Sequence, residues 1–207
     1  VAVYGEKSLD IVNKDELAEY IRELVEKTRE SARAFSEYGT MHLTEIMAEI
    51  GIYPYKNFQD VLLEVEGILD SKTWRKKYVK RDEGCPLCPI RCWKISEVKE
   101  GKHKGTFIDG PDYENTWALG PQCGNCNLSS IIRANYLCDA YGVDTISTGG
   151  VIGFAMECFE KGLIDERDTG GLEVRFGSEE AIISLIEDIA CLLYTSPSPR
   201  DLSTSRM

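Results

Sequence analysis

No apolar run in this 207-residue sequence approaches the roughly 18 residues that a membrane-crossing helix needs. The most apolar late stretch, residues 181–194, is interrupted by Glu187 and Asp188. Basic residues are outnumbered, 24 Lys and Arg against 35 Asp and Glu, and the formal charge of −11 argues against a nucleic-acid partner, which needs a positive footprint. No basic segment followed by an apolar one marks a secretory leader at the start. A cytoplasmic location is therefore expected, in a reducing interior where clustered cysteines take metal rather than disulfides. Histidine is scarce as well. His42 has no second His or Cys at a metal-like spacing and is read as a partner of nearby backbone, while His103, between Lys102 and Lys104 in a polar turn, is given no role.

Cysteine, by contrast, is present eight times, and the chain is organised around three of them. Cys85, Cys88 and Cys92 follow one another as C-x2-C-x3-C in GCPLCPIRCWK, close enough for one short loop to carry all three sulfurs. Iron-sulfur clusters take thiolates at such spacings, with a fourth ligand arriving from elsewhere. Pro86 and Pro89 remove two backbone donors and favour a turn over a helix through the first two cysteines. Zinc is the rival, with Cys123 and Cys126 completing a C-x2-C…C-x2-C set that leaves Cys92 idle. Three plain reduced thiols are the third reading, and all three stay open on spacing alone.

The rest of the chain reads as mainly α. Asn13 with Glu16 three residues on has the form of a capping box, and Leu17, Tyr20, Ile21, Leu24 and Val25 follow at helical spacing, predicting an amphipathic helix to about residue 36. A second helix is expected over 42–50, and two short helical stretches between Asp60 and Arg81. The second of these carries Arg75, Lys76, Lys77, Lys80 and Arg81, a run that either steers an acidic electron carrier or is a solvated face. Residues 106–127, with Gly110, Pro111, Gly120, Pro121 and Gly124, are expected to be mostly irregular backbone that can approach a ligand closely. Glu114, flanked by Tyr113 and Trp117, is a carboxylate that a partly apolar pocket would bring toward acid-base range. Helices are expected over 128–141, ending at Gly142, over 144–161 with Asp144 as N-cap, and over 178–190 with Ser178 as N-cap. The D-x-x-G-x-D junction is an ordinary helix-turn-helix link. It also sets Asp139 and Asp144 beside a helix N-terminus, where N–H groups can take an anion and carboxylates can accept from a heterocycle.

The sequence resembles the tungsten-pterin aldehyde:ferredoxin oxidoreductases. The blocks that carry the resemblance are VAVYG, the YGT of 38–40, the NFQ of 57–59, GCPLCPIRC, GPDYENTWALG, ANYLCDAYGVDTISTG at 134–149, FAMECFEKGLI, and DTGGLEVRFG at 168–177. The resemblance implies that Cys85, Cys88 and Cys92 bind a 4Fe-4S cluster. It implies that Asp139, Gly142 and Asp144 belong to the first of two stretches binding a tungsten or molybdenum bis-pterin, and that Glu114 activates water or the carbonyl near the metal. The implied reaction turns an aldehyde into a carboxylate and passes electrons through the cluster to ferredoxin. The same blocks would serve a relative that reduces an aromatic acyl-CoA ring, and a zinc-stabilised helical interaction module is the alternative from another class.

The family's architecture sets further expectations. Residues 1–12 would end an N-terminal β domain, and 13–190 would form a truncated helical domain with short strands and Gly-rich irregular segments. A later stretch, D-x-x-G-x-C, would supply the fourth cluster ligand. Residues 191–207 are similar to an in-frame translation of a sequencing adapter and are expected to be non-native, although a Ser/Pro-rich tail has the same composition. On this reading the chain is an internal fragment, inactive alone, with ferredoxin, an aldehyde and a second copy of the chain as candidate partners. Two features depart from the family pattern. Where some relatives carry E-x-x-H for a metal between subunits, this helix has Arg133 and no His, and the Cys123 and Cys126 pair is not the usual arrangement.

Overall fold

The computed structural model describes Gly5 and residues 10–191; the strand expected at VAVYG and the tail at 192–207 lie outside the described residues. Within them, eight α-helices and five short strands make a mainly α fold. The first helix, α1 (Lys14–Ser31), stops short of the expected boundary, and α2 (Arg33–Tyr38) begins after a break at Ala32. The apolar series ends at Val25, so little beyond it can hold one continuous helix past Ser31. Nor does the capping box form. The Asn13 side chain caps no backbone N–H and instead donates to Glu16 Oε2 at 2.9 Å. No residue of α1 is buried.

A 3₁₀ turn (Gly39–His42) leads into α3 (Leu43–Glu49), and His42 Nδ1 lies 2.7 Å from the Gly39 carbonyl, the backbone partnership expected of it. Strands β1 (Pro54–Tyr55) and β2 (Asp60–Val61) pair antiparallel, so the first of the two helical stretches expected after Asp60 is strand and turn instead. The second is helical, α4 (Ser71–Lys77), capped by Asp70, which accepts from Thr73 N. Strands β3 (Val79–Glu83), β4 (Trp93–Glu97) and β5 (Phe107–Asp109) then form an antiparallel sheet in that order. Glu83 pairs with Trp93 and Asp82 with Lys94, which makes the cysteine segment the loop of a β-hairpin.

Residues 106–127, which open with β5, are more ordered than their composition suggests. Gly110 and Gly120 flank a helix, α5 (Tyr113–Leu119), and a 3₁₀ turn (Pro121–Cys123) follows; the helix breakers sit at the ends, where they punctuate rather than disrupt. The core centres on α5, α6 (Leu128–Tyr141), α7 (Thr145–Glu160) and α8 (Glu179–Ala190), with Met41, Tyr53, Leu69 and Trp74 from the earlier segments packed into it. All three of the later helices match their sequence signals. Asn127, Asp144 and Ser178 cap them by accepting from Ser129 N, Ser147 N and Ala181 N, and Gly142 ends α6 at φ +72°, a left-handed conformation that glycine adopts without a Cβ clash. Helices α5 and α7 approach so closely that a Cβ on Gly149 would lie 2.2 Å from the Ala118 carbonyl oxygen. This contact fixes the first turns of α7 against the C-terminal end of α5.

Candidate functional site

The cysteine loop is pinched at its neck and pressed against the chain around it. A Cβ on Gly84 would come within 2.7 Å of Arg91 Cα, so only glycine lets the two sides of the hairpin close this far. The same distance, 2.7 Å, separates a hypothetical Gly39 Cβ from the Cys92 carbonyl oxygen, and Gly39 sits at φ +61°. The YGT segment therefore packs directly on the last cysteine. Cys88 N donates to Cys85 O at 3.1 Å, a turn through the first two cysteines as the prolines lead one to expect.

The three thiols are not electrically alike. Backbone N–H groups of Ile90 and Arg91 directed at Cys88 hold its thiol below the ordinary cysteine range, the usual means of stabilising a thiolate. Burial pushes Cys92 up, with Asp112 and Cys88 facing it, while Cys85 stands exposed on the loop. Among the described residues no three His, Cys, Asp or Glu side chains converge on one point, so the thiols share a loop without sharing a centre. Their donor chemistry nonetheless fits an iron-sulfur cluster: three sulfurs on one loop, one already supplied with N–H donors.

The four-cysteine zinc set is corrected by the structure. Cys123 is 0% exposed, with its Sγ 3.4 Å from the Ala118 carbonyl and 3.5 Å from that of Gly149, buried at the α5–α7 contact, whereas Cys85 is exposed on the hairpin. Burial pushes the Cys123 thiol well up and Cys126 up as well. The basic run is corrected in part. Arg75 pairs with both Asp82 oxygens, Lys80 with Glu97 and Arg81 with Glu83, so three of its five charges are locally compensated. The run is split between α4 and β3 and reads as a solvated, ion-paired face.

A polar seam runs from the cysteine loop to the D-x-x-G-x-D junction. Thr40, next to the Gly39 contact, donates to Asp112 Oδ1 and accepts from Tyr113 N, each at 3.0 Å. Two residues along α5, Asn115 Nδ2 donates to Asn135 Oδ1 at 2.9 Å, and Asn135 Nδ2 donates to Asp139 Oδ2 at 2.7 Å. Thr145, first residue of α7, closes the path by donating to Asn115 Oδ1 at 3.1 Å. Glu114 lies in the first turn of α5 beside this seam, with its side chain exposed rather than enclosed by Tyr113 and Trp117. Partial burial raises the Asp139 carboxyl, opposed by the Asn135 hydrogen bond. Asp109, at the end of β5, is raised by burial and by Asp112, Asp139 and Glu83 around it. Asp144 is lowered by the Ser147 hydroxyl and backbone N–H that it caps.

Sequence reasoning missed the connecting residues Thr40, Asp112, Asn115, Asn135 and Thr145, although all but Asn135 and Thr145 stand in or beside two short blocks, YGT and GPDYEN. It also missed Lys94 beneath the hairpin, where burial lowers the ammonium's pKa and the Asp82 carboxylate opposes that shift. His103, given no role, is buried and lines a cavity of about 580 Å³ with Lys102, Arg133 and Glu187; burial lowers it and Glu179 opposes.

The model of a family described as aldehyde ferredoxin oxidoreductase, domains 2 & 3, matches residues 16–191. The chain is 38% identical over 196 residues to the tungsten-containing aldehyde ferredoxin oxidoreductase of Pyrococcus horikoshii, covering 92% of this chain and 32% of that protein. Against the protein of the same name from Pyrococcus furiosus it is 38% identical over 194 residues, covering 92% and 31%. A Pyrococcus furiosus protein named aliphatic sulfonate oxidoreductase, WOR-like subunit, is 36% identical over 137 residues, 64% of this chain and 21% of that protein. The chain thus spans about a third of the length of the curated aldehyde ferredoxin oxidoreductases it matches.

Proposed function

The chain belongs to the aldehyde ferredoxin oxidoreductase family, and from that premise we propose that it is the cluster-bearing segment of an enzyme that oxidises an aldehyde to a carboxylate and delivers the electrons to ferredoxin. The observation that supports this reading is the continuous seam from Gly39 and Thr40 at the cysteine loop, through Asp112, Asn115 and Asn135, to Asp139 and Thr145. One path would then connect both ends of the electron route. Cys85, Cys88 and Cys92 would hold a 4Fe-4S cluster, and Asp139, Gly142 and Asp144 would face a tungsten or molybdenum bis-pterin. When bound, these groups would supply the redox chemistry, a two-electron oxidation and one-electron transfer.

The chain's own residues orient and move protons. Asn135 holds Asp139 by one oxygen, leaving the other to accept from a ring N–H; Asp144, committed to capping α7, keeps the helix N-terminus formed for an anionic group. Glu114, open to solvent at the start of α5, accepts a proton at its carboxylate as water adds to the carbonyl carbon. The balance is an aldehyde and water giving a carboxylate, protons to Glu114 and solvent, and two electrons to the cofactor. Among the described residues no helix is long and apolar enough to cross a membrane.

The test uses the intact protein, purified without oxygen. Cys92→Ser is expected to lose iron and acid-labile sulfide, and Glu114→Gln to retain both while turnover falls roughly 10²–10⁴-fold. Wild-type iron and sulfide in the first variant would take the cluster away from this loop, and wild-type turnover in the second would take the proton from Glu114.

A further inference from the structure

Lys94 is 1% exposed, although lysine is among the residues least often fully buried. Its Nζ donates to the carbonyl oxygens of Arg91 at 2.9 Å, Ser36 at 3.0 Å and Trp93 at 3.3 Å, and lies 3.3 Å from Asp82 Oδ1. Every group around the nitrogen is an acceptor, which suits an ammonium with three donors and no lone pair. Those acceptors are not scattered through the fold. Arg91 precedes Cys92, Trp93 follows it, and Ser36 lies on α2, shortly before Gly39 meets the Cys92 carbonyl. The lysine, as the ammonium that three acceptors suit, thus ties both flanks of the last cysteine to the helix behind it.

Hydrogen bonding alone does not require that charge. A glutamine at 94 has amide N–H groups for carbonyls, without the several kcal/mol that desolvating an ion costs. Asp82 compensates only partly, being 41% exposed, where water screens it, and shared with Arg75. Of the other nearby cations, Arg75 is partly exposed and paired with Asp82, and Arg91 is exposed and donates to the Asp82 carbonyl. Asp112 faces Cys92 from the side of α5. Lys94 is therefore the buried cation on the protein side of the loop.

We propose that Lys94 is a positioning residue whose buried positive charge, held beneath the cysteine loop, raises the reduction potential of the cluster ligated by Cys85, Cys88 and Cys92. The inference rests on the cluster assignment made under Proposed function. Reduction adds negative charge to a centre already surrounded by thiolates, and a cation behind a low-dielectric layer favours the reduced form. Water cannot reach Nζ to screen it.

The experiment is a potentiometric titration of the cluster's electron paramagnetic resonance signal in the intact protein, with iron and sulfide measured on each sample. Lys94→Gln is expected to keep its iron and titrate at a lower potential, and Lys94→Arg to titrate near wild type. Asp82→Asn, which uncovers the lysine's charge without touching it, is expected to titrate higher. A Lys94→Gln protein with a full cluster and the wild-type potential overturns the proposal. If that variant assembles no cluster, Asp82→Asn decides: a raised potential supports the proposal and an unmoved one overturns it. Iron-free wild type removes the cluster assignment and this inference together, whereas iron-replete wild type with unmoved variants removes this inference alone.

Discussion

Carboxylates crowd the seam, and Asp109 shows what that crowding does. Burial and the neighbouring Asp112, Asp139 and Glu83 raise its carboxyl above the ordinary aspartate value. An acid whose pKa is higher in the folded state holds its proton longer there than in the unfolded chain. Below the unfolded pKa both states are protonated and the site costs nothing; as pH rises through the window up to the folded pKa, stability falls, and the full penalty persists above it. Asp109→Asn should therefore raise the melting temperature of the chain at about pH 7, with the gain shrinking as pH drops to about 3. Equal gains at both pH values would mean that the substitution improves packing and that the repulsion is not felt. Asp139 is raised in the same direction, which makes a donor offered by a bound ligand more favourable there than at an isolated surface carboxylate. None of this is visible in the sequence, because Asp109 and Asp139 are brought together only when β5 and α6 pack.

Where α5 and α7 meet, two adjacent glycines make opposite predictions. Gly149 faces Ala118, whose carbonyl oxygen would lie 2.2 Å from an added Cβ; Gly150 has nothing within 4 Å of one. Gly149→Ala should destabilise by about 1–3 kcal/mol through overpacking. Gly150→Ala should stabilise by about 0.5–1 kcal/mol, since alanine loses less freedom in a helix. Denaturant midpoints of the two variants check both, and a gain at 149 would mean that the helices can separate at little cost. Elements with signals at their own ends were legible: Gly142 and Asp144 bound α6 and α7 at the expected positions, and Ser178 starts α8. Elements decided by distant packing were not. Helix α5 hides between Gly110 and Gly120, and β2 lies where short helical stretches were expected, because pairing with β1 outweighs a weak local preference. The candidate site divides the same way. Cys85, Cys88 and Cys92 declare themselves by spacing, whereas Lys94 sits in a strand pattern where a charged residue reads as solvent-facing until Ser36 and the hairpin close over it.

At the scale of the molecule, burial is uneven. The core draws on α5 to α8, the sheet and the segments from Met41 to Trp74, while α1 presents Leu17, Tyr20, Ile21 and Leu24 at helical spacing and buries none of them. Stability measured on this chain should therefore report the packed helices and be almost blind to the first one. Ile132, 0% exposed in α6, should cost about 2–5 kcal/mol when replaced by alanine, from lost transfer energy and the cavity left behind. Leu24, 50% exposed, should change stability by less than about 0.5 kcal/mol on the same replacement. Amide hydrogen exchange gives the complementary readout: α1 should exchange through local opening, with little protection, and the inner amides of α6 only with unfolding of the core. If Leu24→Ala proved as costly as Ile132→Ala, α1 would have to be packed in solution against a surface that it does not touch here. The expected contrast instead leaves the helix's apolar stripe without a contribution to the core, so the seam and the cysteine hairpin stand on a scaffold that holds its shape without α1.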